Sequence, residues 1–528
     1  MRVRVWVVAA VLLLACAGLA AAALIAWPQA RLGGTDDALA RVELPAFAGH
    51  VTSVAVHSSD GAAVLVRLRG ANVWPRHTVG SGVRLTVAVT VTRPGWASWL
   101  VGKTERRSFT IVTPRARLLG RWLQVKSGAP VTISFDAPVG VVALGGASAR
   151  RLVRPRAAVP VGVVARGSGS AGTIEVAAAA RSWEQLPAPV RVSWFPARPY
   201  PQLLAEPRPG TRLPPARQLT LTFSSPVRDA LGTRRPRLSP VTPGRWRQPD
   251  AHTLTFEPTG LGFGLGAHVE VELPRAAHLA GQPGAALTRS LSWQVADGSV
   301  LRLQQLFAEL GYLPLDWQPA RAPAPASARA QLAAATTPPP GRFTWRYPNT
   351  PAELRGLWET GRPNQITRGA VMLFEDTHGL AVDGFAGPKV WRALIGDALA
   401  GRRRDDGYSY VFVHQTVPQS LNLWHDGRVI LSSPGNTGVP AAPTQLGTFP
   451  VFEHIPVGTM SGTNPDGSHY HDPGIRYISY FNGGDAIHAF NRASFGTPQS
   501  LGCVELPEAA AAGVWPYTPI GTLVTIEN

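Results

Sequence analysis

The chain has 528 residues, 45% of them hydrophobic, more than one core can use, so several domains of ordinary size are expected. Its formal net charge of +18 is carried almost wholly by arginine, lysine occurring only at Lys103, Lys126 and Lys389. Such a surface attracts polyanions, yet the sequence has no zinc-finger spacing, no RNA-binding aromatic motif and no basic helix, so nucleic acid is not expected as a partner.

From Val5 to Trp27 an uninterrupted apolar run follows Arg2 and Arg4, long enough for a bilayer-crossing helix of about 20 residues. Positive charge ahead of the run favours a cytoplasmic N-terminus. The expectation is a single-pass transmembrane anchor within residues 1–35, with the chain from about Pro28 onward extracytoplasmic. Two alternatives stay open: a signal peptide cut within Ala20-Ala21-Ala22-Ala23, and a lipoprotein signal, Leu13-Leu14-Ala15-Cys16, that would lipidate Cys16. With Cys16 inside this segment, Cys503 is the sole thiol of the exported part and has no intramolecular disulfide partner. A lone thiol kept in an oxidising compartment has either a chemical role or the role of a small buried hydrophobe.

Between about Arg41 and Asp297, short alternating segments are punctuated by Gly, Pro, Asn and Asp, the pattern of antiparallel sandwiches. Examples are Val51–Val56, Val83–Val89, Val131–Phe135 and Leu219–Phe223. Three β-sandwich modules are expected, at 36–113, 114–199 and 200–297. In the third, the succession Leu219–Phe223, Thr253–Pro258 and Val269–Leu273 resembles bacterial immunoglobulin-like domains.

After Val300 the period changes to helical, through Leu301, Leu303, Leu306, Phe307 and Leu310 into Gly311. A second helix is expected from about Thr367 to His378, with Asp376, His378 and Asp383 as turn and cap residues, and a third around Val390, Trp391 and Leu394. Leu303-Gln304, Leu310-Gly311-Tyr312-Leu313, the run Gly379 to Gly387 and Trp391 together resemble a small three-helix peptidoglycan-binding module, placed at 298–400. An inserted loop, 316–351, separates its first two helices, and the Ala/Pro-rich part from Pro319 to Pro340 is expected to be extended or disordered. A plain helical spacer would show the same periodicity.

The segment 408–528 reads as β again, with strands at Tyr410–Val413, Val429–Ser432 and Thr522–Ile526. Within it, Ile487-His488 precedes Ser500-Leu501-Gly502-Cys503-Val504. A cysteine directly after glycine presents its sulfur on a tight turn beside backbone N–H groups able to hold an oxyanion. A histidine on a neighbouring strand can take the thiol proton. By spacing alone, a His and a Cys about 15 residues apart are unremarkable. Together with Pro443-Thr444-Gln445-Leu446-Gly447-Thr448-Phe449, however, the two motifs resemble the L,D-transpeptidase catalytic domain, also called YkuD-like.

That resemblance implies a cysteine acyltransferase acting on peptidoglycan. Cys503 is the nucleophile, His488 the base, the amides of Gly502 and Cys503 oxyanion donors, and Ser500 a brace for the turn. The residues expected to line the substrate are Tyr477, Tyr480, Asn482 and Glu505. Two positions depart from the pattern: Leu501 stands where His is frequent, and Glu505 where Arg is common, reversing a charge. His469, His471 and Asp472 are metal-ligand types but lack a spaced partner set, so a loop over the site is expected and no metal or organic cofactor.

The fold expectation is therefore a mainly β multidomain protein: a transmembrane helix, β-sandwich and Ig-like modules, a three-helix peptidoglycan-binding module and a C-terminal β-rich catalytic domain. Expected partners are glycan strands, stem peptides and, through the N-terminal helix, the membrane, with the catalytic part in the cell-wall space. An L,D-carboxypeptidase using the same cysteine, and an inactive wall-binding scaffold, are the alternatives.

Overall fold

The computed structural model describes residues 2–528 apart from 127–128, 146–150, 154–162, 166–170, 281–285 and 322–325. The chain divides into two compact units. One comprises Met1–Leu204, Thr222–Ala230 and Ala277–Leu287, the other Ala205–Leu221, Leu231–Ala276 and Thr288–Asn528.

In the first unit the N-terminal run forms a helix, α1 (Arg2–Ala26), but among the described residues no helix is long and apolar enough to cross a membrane. The side chains of Arg2 and Arg4 lie outside the described residues. The absence of such a helix among the described residues stands against the anchor expected there. This corrects the expected transmembrane anchor and the membrane partner that went with it.

Beyond α1, an antiparallel sheet pairs His50–Ser58 with Arg84–Thr92 and the latter with Thr104–Val112. The middle strand alternates, burying Leu85, Val87, Val89 and Val91 and leaving the residues between exposed or half-buried. Arg31–Gly33 pairs with Ala40–Glu43, so sheet structure begins ahead of residue 36. A second core gathers Val131, Ile133, Val142, Val176 and Val192 from short strands of the next module.

In the second unit, Thr253–Pro258 pairs antiparallel with Gly244–Asp250, and Arg212–Leu213 runs parallel to the end of Leu287–Val295. The helical region follows: α2 (Val300–Glu309), α3 (Ala328–Thr336), α4 (Gln365–Thr377) and α5 (Pro388–Ala400). Asn364 caps α4 by accepting the Thr367 N–H at 2.8 Å, and α5 opens on Pro388 and ends at a left-handed Gly401. His378 binds the Phe374 carbonyl at 2.9 Å at the end of α4, a capping role.

The insertion is ordered over most of its length, against expectation. Leu315–Pro319 pairs with Gly341–Trp345, and α3 lies between them. The alanine-rich stretch is a good helix former capped by Ser327. It buries Leu332 and Ala335 in the core of α2, α4 and α5, while Arg302, buried on α2, donates to Gln331 of α3 at 3.0 Å. Residues 322–325 of the insertion lie outside the described residues.

The C-terminal domain packs two sheets. Strands β1 (Ser409–His414), β2 (Ser420–His425), β3 (Arg428–Pro434), β4 (Gly447–Pro450) and β9 (Leu523–Glu527) form one, in the order β3-β2-β1-β9-β4. The other runs β5-β6-β7-β8, from β5 (Glu453–Thr463), β6 (His469–Asn482), β7 (Asp485–Ala489) and β8 (Val504–Leu506). Val411, Val413, Leu421 and Leu423 meet Phe481, Ile487, Val504 and Leu506 between the sheets, closed by Ala511 and Val514 of α6 (Glu508–Val514). The outer face of the first sheet gives Tyr410, Trp424 and Leu523 to the helical core, so the helices are seated on the back of the C-terminal domain.

Candidate active site

Strands β7 and β8 run parallel in the register Ile487↔Val504, His488↔Glu505, Ala489↔Leu506. Alternation sends Ile487, Ala489, Val504 and Leu506 into the inter-sheet core. It leaves Ala486 and His488, with Cys503 and Glu505, on the opposite face. There Cys503 packs against a cluster of Ile475, Ile478 and Ala486, as do Tyr480, Met460 and Phe490. The long β5–β6 hairpin thus supplies one wall of the sulfur's surroundings.

His488 is 2% exposed, and its Nδ1 lies 2.9 Å from the Ala489 carbonyl. A carbonyl only accepts, so Nδ1 carries the proton and Nε2 of the neutral ring is left as a base. Burial pushes the imidazole pKa down, opposed by the Ala489 carbonyl and the Glu505 charge, so the ring is neutral at pH 7.

The thiol lies 3.6 Å from the Gly484 carbonyl, to which it donates, and no hydrogen bond joins it to His488 among the described residues. Burial pushes its pKa up to about 12; the Ala486 N–H at the sulfur pulls it down, and the carboxylates of Asp485 and Glu505 push it further up. The resting group is therefore a thiol, and its proton must leave as the sulfur attacks.

The turn that carries it is braced from within. Ser500 Oγ donates to the Cys503 carbonyl at 2.6 Å and accepts the Gly502 N–H at 3.3 Å. That commits the Gly502 amide, expected as an oxyanion donor, to Ser500. Gly502 has φ +118°, and a Cβ there would run into the Asp485 carboxylate.

Of the expected substrate-lining residues, Tyr480 packs on the same apolar cluster as Cys503 and Asn482 donates to Asp485 at 3.3 Å. Tyr477, with φ +59°, packs instead against the inter-sheet core and Trp515 and does not join the thiol's face. Glu505 is 4% exposed and held by both arms of Arg492, at 2.7 and 2.8 Å, while that guanidinium stacks over Phe490 at 4.6 Å. The charge reversal at 505 is therefore answered by a cation 13 residues upstream.

Arg492, Asp485, Met460 and Phe490 escaped sequence reasoning, because nothing in their spacing marks them. His469 and His471 bond Thr463 and Ser461 across the β5–β6 hairpin, and among the described residues no group of three or more metal-ligating side chains gathers. A cleft of about 740 Å³ adjoins the site, lined by Asp472, Ile475, Arg476, Phe490 and Glu508. A second cavity, of about 730 Å³, lies in the helical region between Arg368, Phe385 and Trp391, remote in sequence from Cys503.

Cys503 and His488 thus share one face of a sheet in a two-sheet domain, beside a long hairpin. Residues 408–526 match the family model described as the L,D-transpeptidase catalytic domain, YkuD, so this C-terminal domain is YkuD-like. Among solved structures, the chain is similar to the L,D-transpeptidase from Mycobacterium smegmatis, with 14% identity over 62% of this chain and 99% of that one and a TM-score of 0.21. It is similar to the catalytic domain of the Enterococcus faecium L,D-transpeptidase, with 26% identity over 23% of this chain and 98% of that one, TM-score 0.21. A third is L,D-transpeptidase 3 from Mycobacterium tuberculosis in complex with a faropenem-derived adduct, with 11% identity over 61% and 97% and a TM-score of 0.22. No curated protein matches the chain.

Proposed function

We propose that the protein is a peptidoglycan L,D-transpeptidase working through a Cys503 acyl-enzyme in the extracytoplasmic wall space. The observation that carries this reading is a neutral, tautomer-fixed imidazole on the same sheet face as the thiol, within the segment that matches the family. The thiol turns from the Gly484 carbonyl toward His488, which takes its proton as Sγ bonds to the carbonyl carbon of the third stem residue. His488 returns that proton to the amine of the leaving D-alanine, giving a thioester. An acceptor side-chain amine then attacks the thioester carbon, the C–S bond breaks, and the amine's proton passes through His488 to the sulfur.

Ser500 holds the turn. The helical region binds glycan, a role supported by its peptidoglycan-module motifs and by the aromatic cavity at Phe385 and Trp391. The charge at Glu505, the one sequence hint of an inactive scaffold, is offset by Arg492.

The test is mass spectrometry of the full chain incubated with a disaccharide-tetrapeptide, wild type against Cys503→Ala. Release of D-alanine with cross-linked dimers, both absent in the variant, supports the reading. Tripeptide without dimers makes the protein an L,D-carboxypeptidase. No Cys503-dependent product, from protein that still sediments with wall sacculi, makes it a binding scaffold.

A further inference from the structure

The loop that carries the nucleophile is held from a second side, by residues that the acyl-transfer steps leave unused. Between β3 and β4, the segment 436–439 lies against it. Asn436 faces Glu505 as an antiparallel pair, the N–H of each donating to the other's carbonyl at 2.9 Å. Residues paired in this way share a face, and Glu505 stands on the thiol's face, so the Asn436 carboxamide does too. With 0% exposure, its Oδ1 accepts the N–H groups of Gly496 at 3.0 Å and Thr497 at 3.4 Å. One buried residue thus grips the loop at its entry with the side chain and at its exit with the main chain.

Its neighbours fasten the stretch between. The Thr437 carbonyl accepts the N–H groups of Gln499 at 2.9 Å and Ser500 at 3.1 Å, and the Val439 N–H donates to the Ser500 carbonyl at 2.9 Å. Ser500 is the residue whose hydroxyl braces the Cys503 carbonyl. The segment is anchored in turn by the Pro443-Thr444 motif. A turn closed by the Ala442 N–H on the Val439 carbonyl brings Thr444 back, and its Oγ1 accepts the Gly438 N–H at 2.9 Å. Asn436, Thr437 and Thr444 are each at most 2% exposed, so water offers these groups no replacement partner.

We propose that Asn436 is a positioning residue for Cys503: by holding both ends of the loop 496–505 it fixes the distance that Sγ crosses from the Gly484 carbonyl to His488, with Thr444 keeping the segment on which Asn436 rides. This rests on the acyl-enzyme reading above. His488 is placed by β7, whereas Cys503 stands at the end of a loop, one residue before β8 begins. Their separation is therefore only as definite as the hold on that loop. A misplacement of about 1 Å at a reacting group costs on the order of 100-fold in rate, while substrate contacts elsewhere keep their affinity.

The experiment measures kcat and KM for D-alanine release from disaccharide-tetrapeptide by the full chain, in wild type, Asn436→Ala, Asn436→Asp, Thr444→Val and Thr444→Ser. Asn436→Ala should lower kcat about 100-fold with KM within about twofold of wild type. Asn436→Asp keeps an acceptor for the Gly496 and Thr497 amides and should regain part of the rate. Thr444→Val, of nearly equal shape, loses one buried hydrogen bond and should lower kcat about tenfold, with recovery in Thr444→Ser. Iodoacetamide reports the fold: a variant whose Cys503 alkylates as fast as that of the urea-unfolded chain has lost the domain, and if Asn436→Ala does so, Thr444→Val decides alone. A kcat within about threefold of wild type in the deciding variant overturns the positioning role and leaves the acyl-enzyme reading standing. A raised KM with kcat unchanged also overturns it, by putting the segment among the substrate contacts. Absence of D-alanine release by wild type removes the reading itself and the positioning role with it.

Discussion

Arg492→Ala strips the Glu505 carboxylate, 4% exposed in the intact fold, of both its guanidinium hydrogen bonds. Breaking a buried pair from one side costs about 3–5 kcal/mol. The Arg492 side chain is 30% exposed against 5% for Glu505, so solvent screens part of the attraction and the lower end, about 3 kcal/mol, applies. A multidomain chain gives no single unfolding transition to read, so the assay is local: hydrogen exchange of the β7 and β8 amides, where about 3 kcal/mol reads as roughly a 100-fold loss of protection. The unpaired charge should also raise the pKa of His488 and of the Cys503 thiol, since Glu505 acts on both, and alkylation of Cys503 should slow. The double variant Arg492→Ala/Glu505→Gln removes the stranded charge and should regain most of the protection. A single variant whose β7 and β8 amides exchange within about twofold of wild type would refute the claim that this pair holds the site.

Much of this architecture is written in local pattern. The alternation of Val83–Val89, the helical spacing from Leu301 to Leu310 and the Gly311 stop are near-neighbour signals, and they lie in the elements they indicate. The order Ile487-His488, then Gly502-Cys503, likewise marks two strands whose parallel pairing brings both side chains to one face. What escapes is set by contacts distant in sequence. Tyr477 is a different case: it lies three residues from Tyr480 in one strand, so alternation gives the two opposite faces, Tyr477 with Phe481 on the inter-sheet core and Tyr480 with Ile478 on the thiol's face. Arg492 is invisible because its meaning lies in Glu505, and Asp485 because its meaning lies in the Cα of Gly502. Composition misleads at the insertion because it weighs Pro319 to Pro340 as one segment, whereas the alanine run within it has a core to pack against.

Three further outcomes test the framework. Gly502→Ala forces a side chain into φ +118° and into the Asp485 carboxylate, so D-alanine release should fall at least 100-fold while β1 to β9 keep their exchange protection; activity near wild type would remove the role given to that turn. Leu332→Asp puts a charge where 3% is exposed, and should detach α3 and open residues 319–340 to limited proteolysis, an effect that a disordered insertion would not show. The last concerns Glu375 of α4, 1% exposed, whose Oε2 accepts the N–H groups of Asp383 at 3.0 Å and Gly384 at 2.8 Å and so ties down the loop bearing Phe385. Burial raises its pKa from the ordinary 4.5 to about 7, against the pull of those two N–H groups and with help from the Asp383 charge. A carboxyl whose folded value lies above its unfolded one stabilises the fold fully below the unfolded value and loses that contribution as pH rises through the folded one. The helical region should therefore lose stability between about pH 4.5 and 7. Glu375→Gln keeps an acceptor for the loop but cannot ionise, so exchange protection of α4 should become flat across that window; a slope equal to wild type would assign the pH dependence to another group.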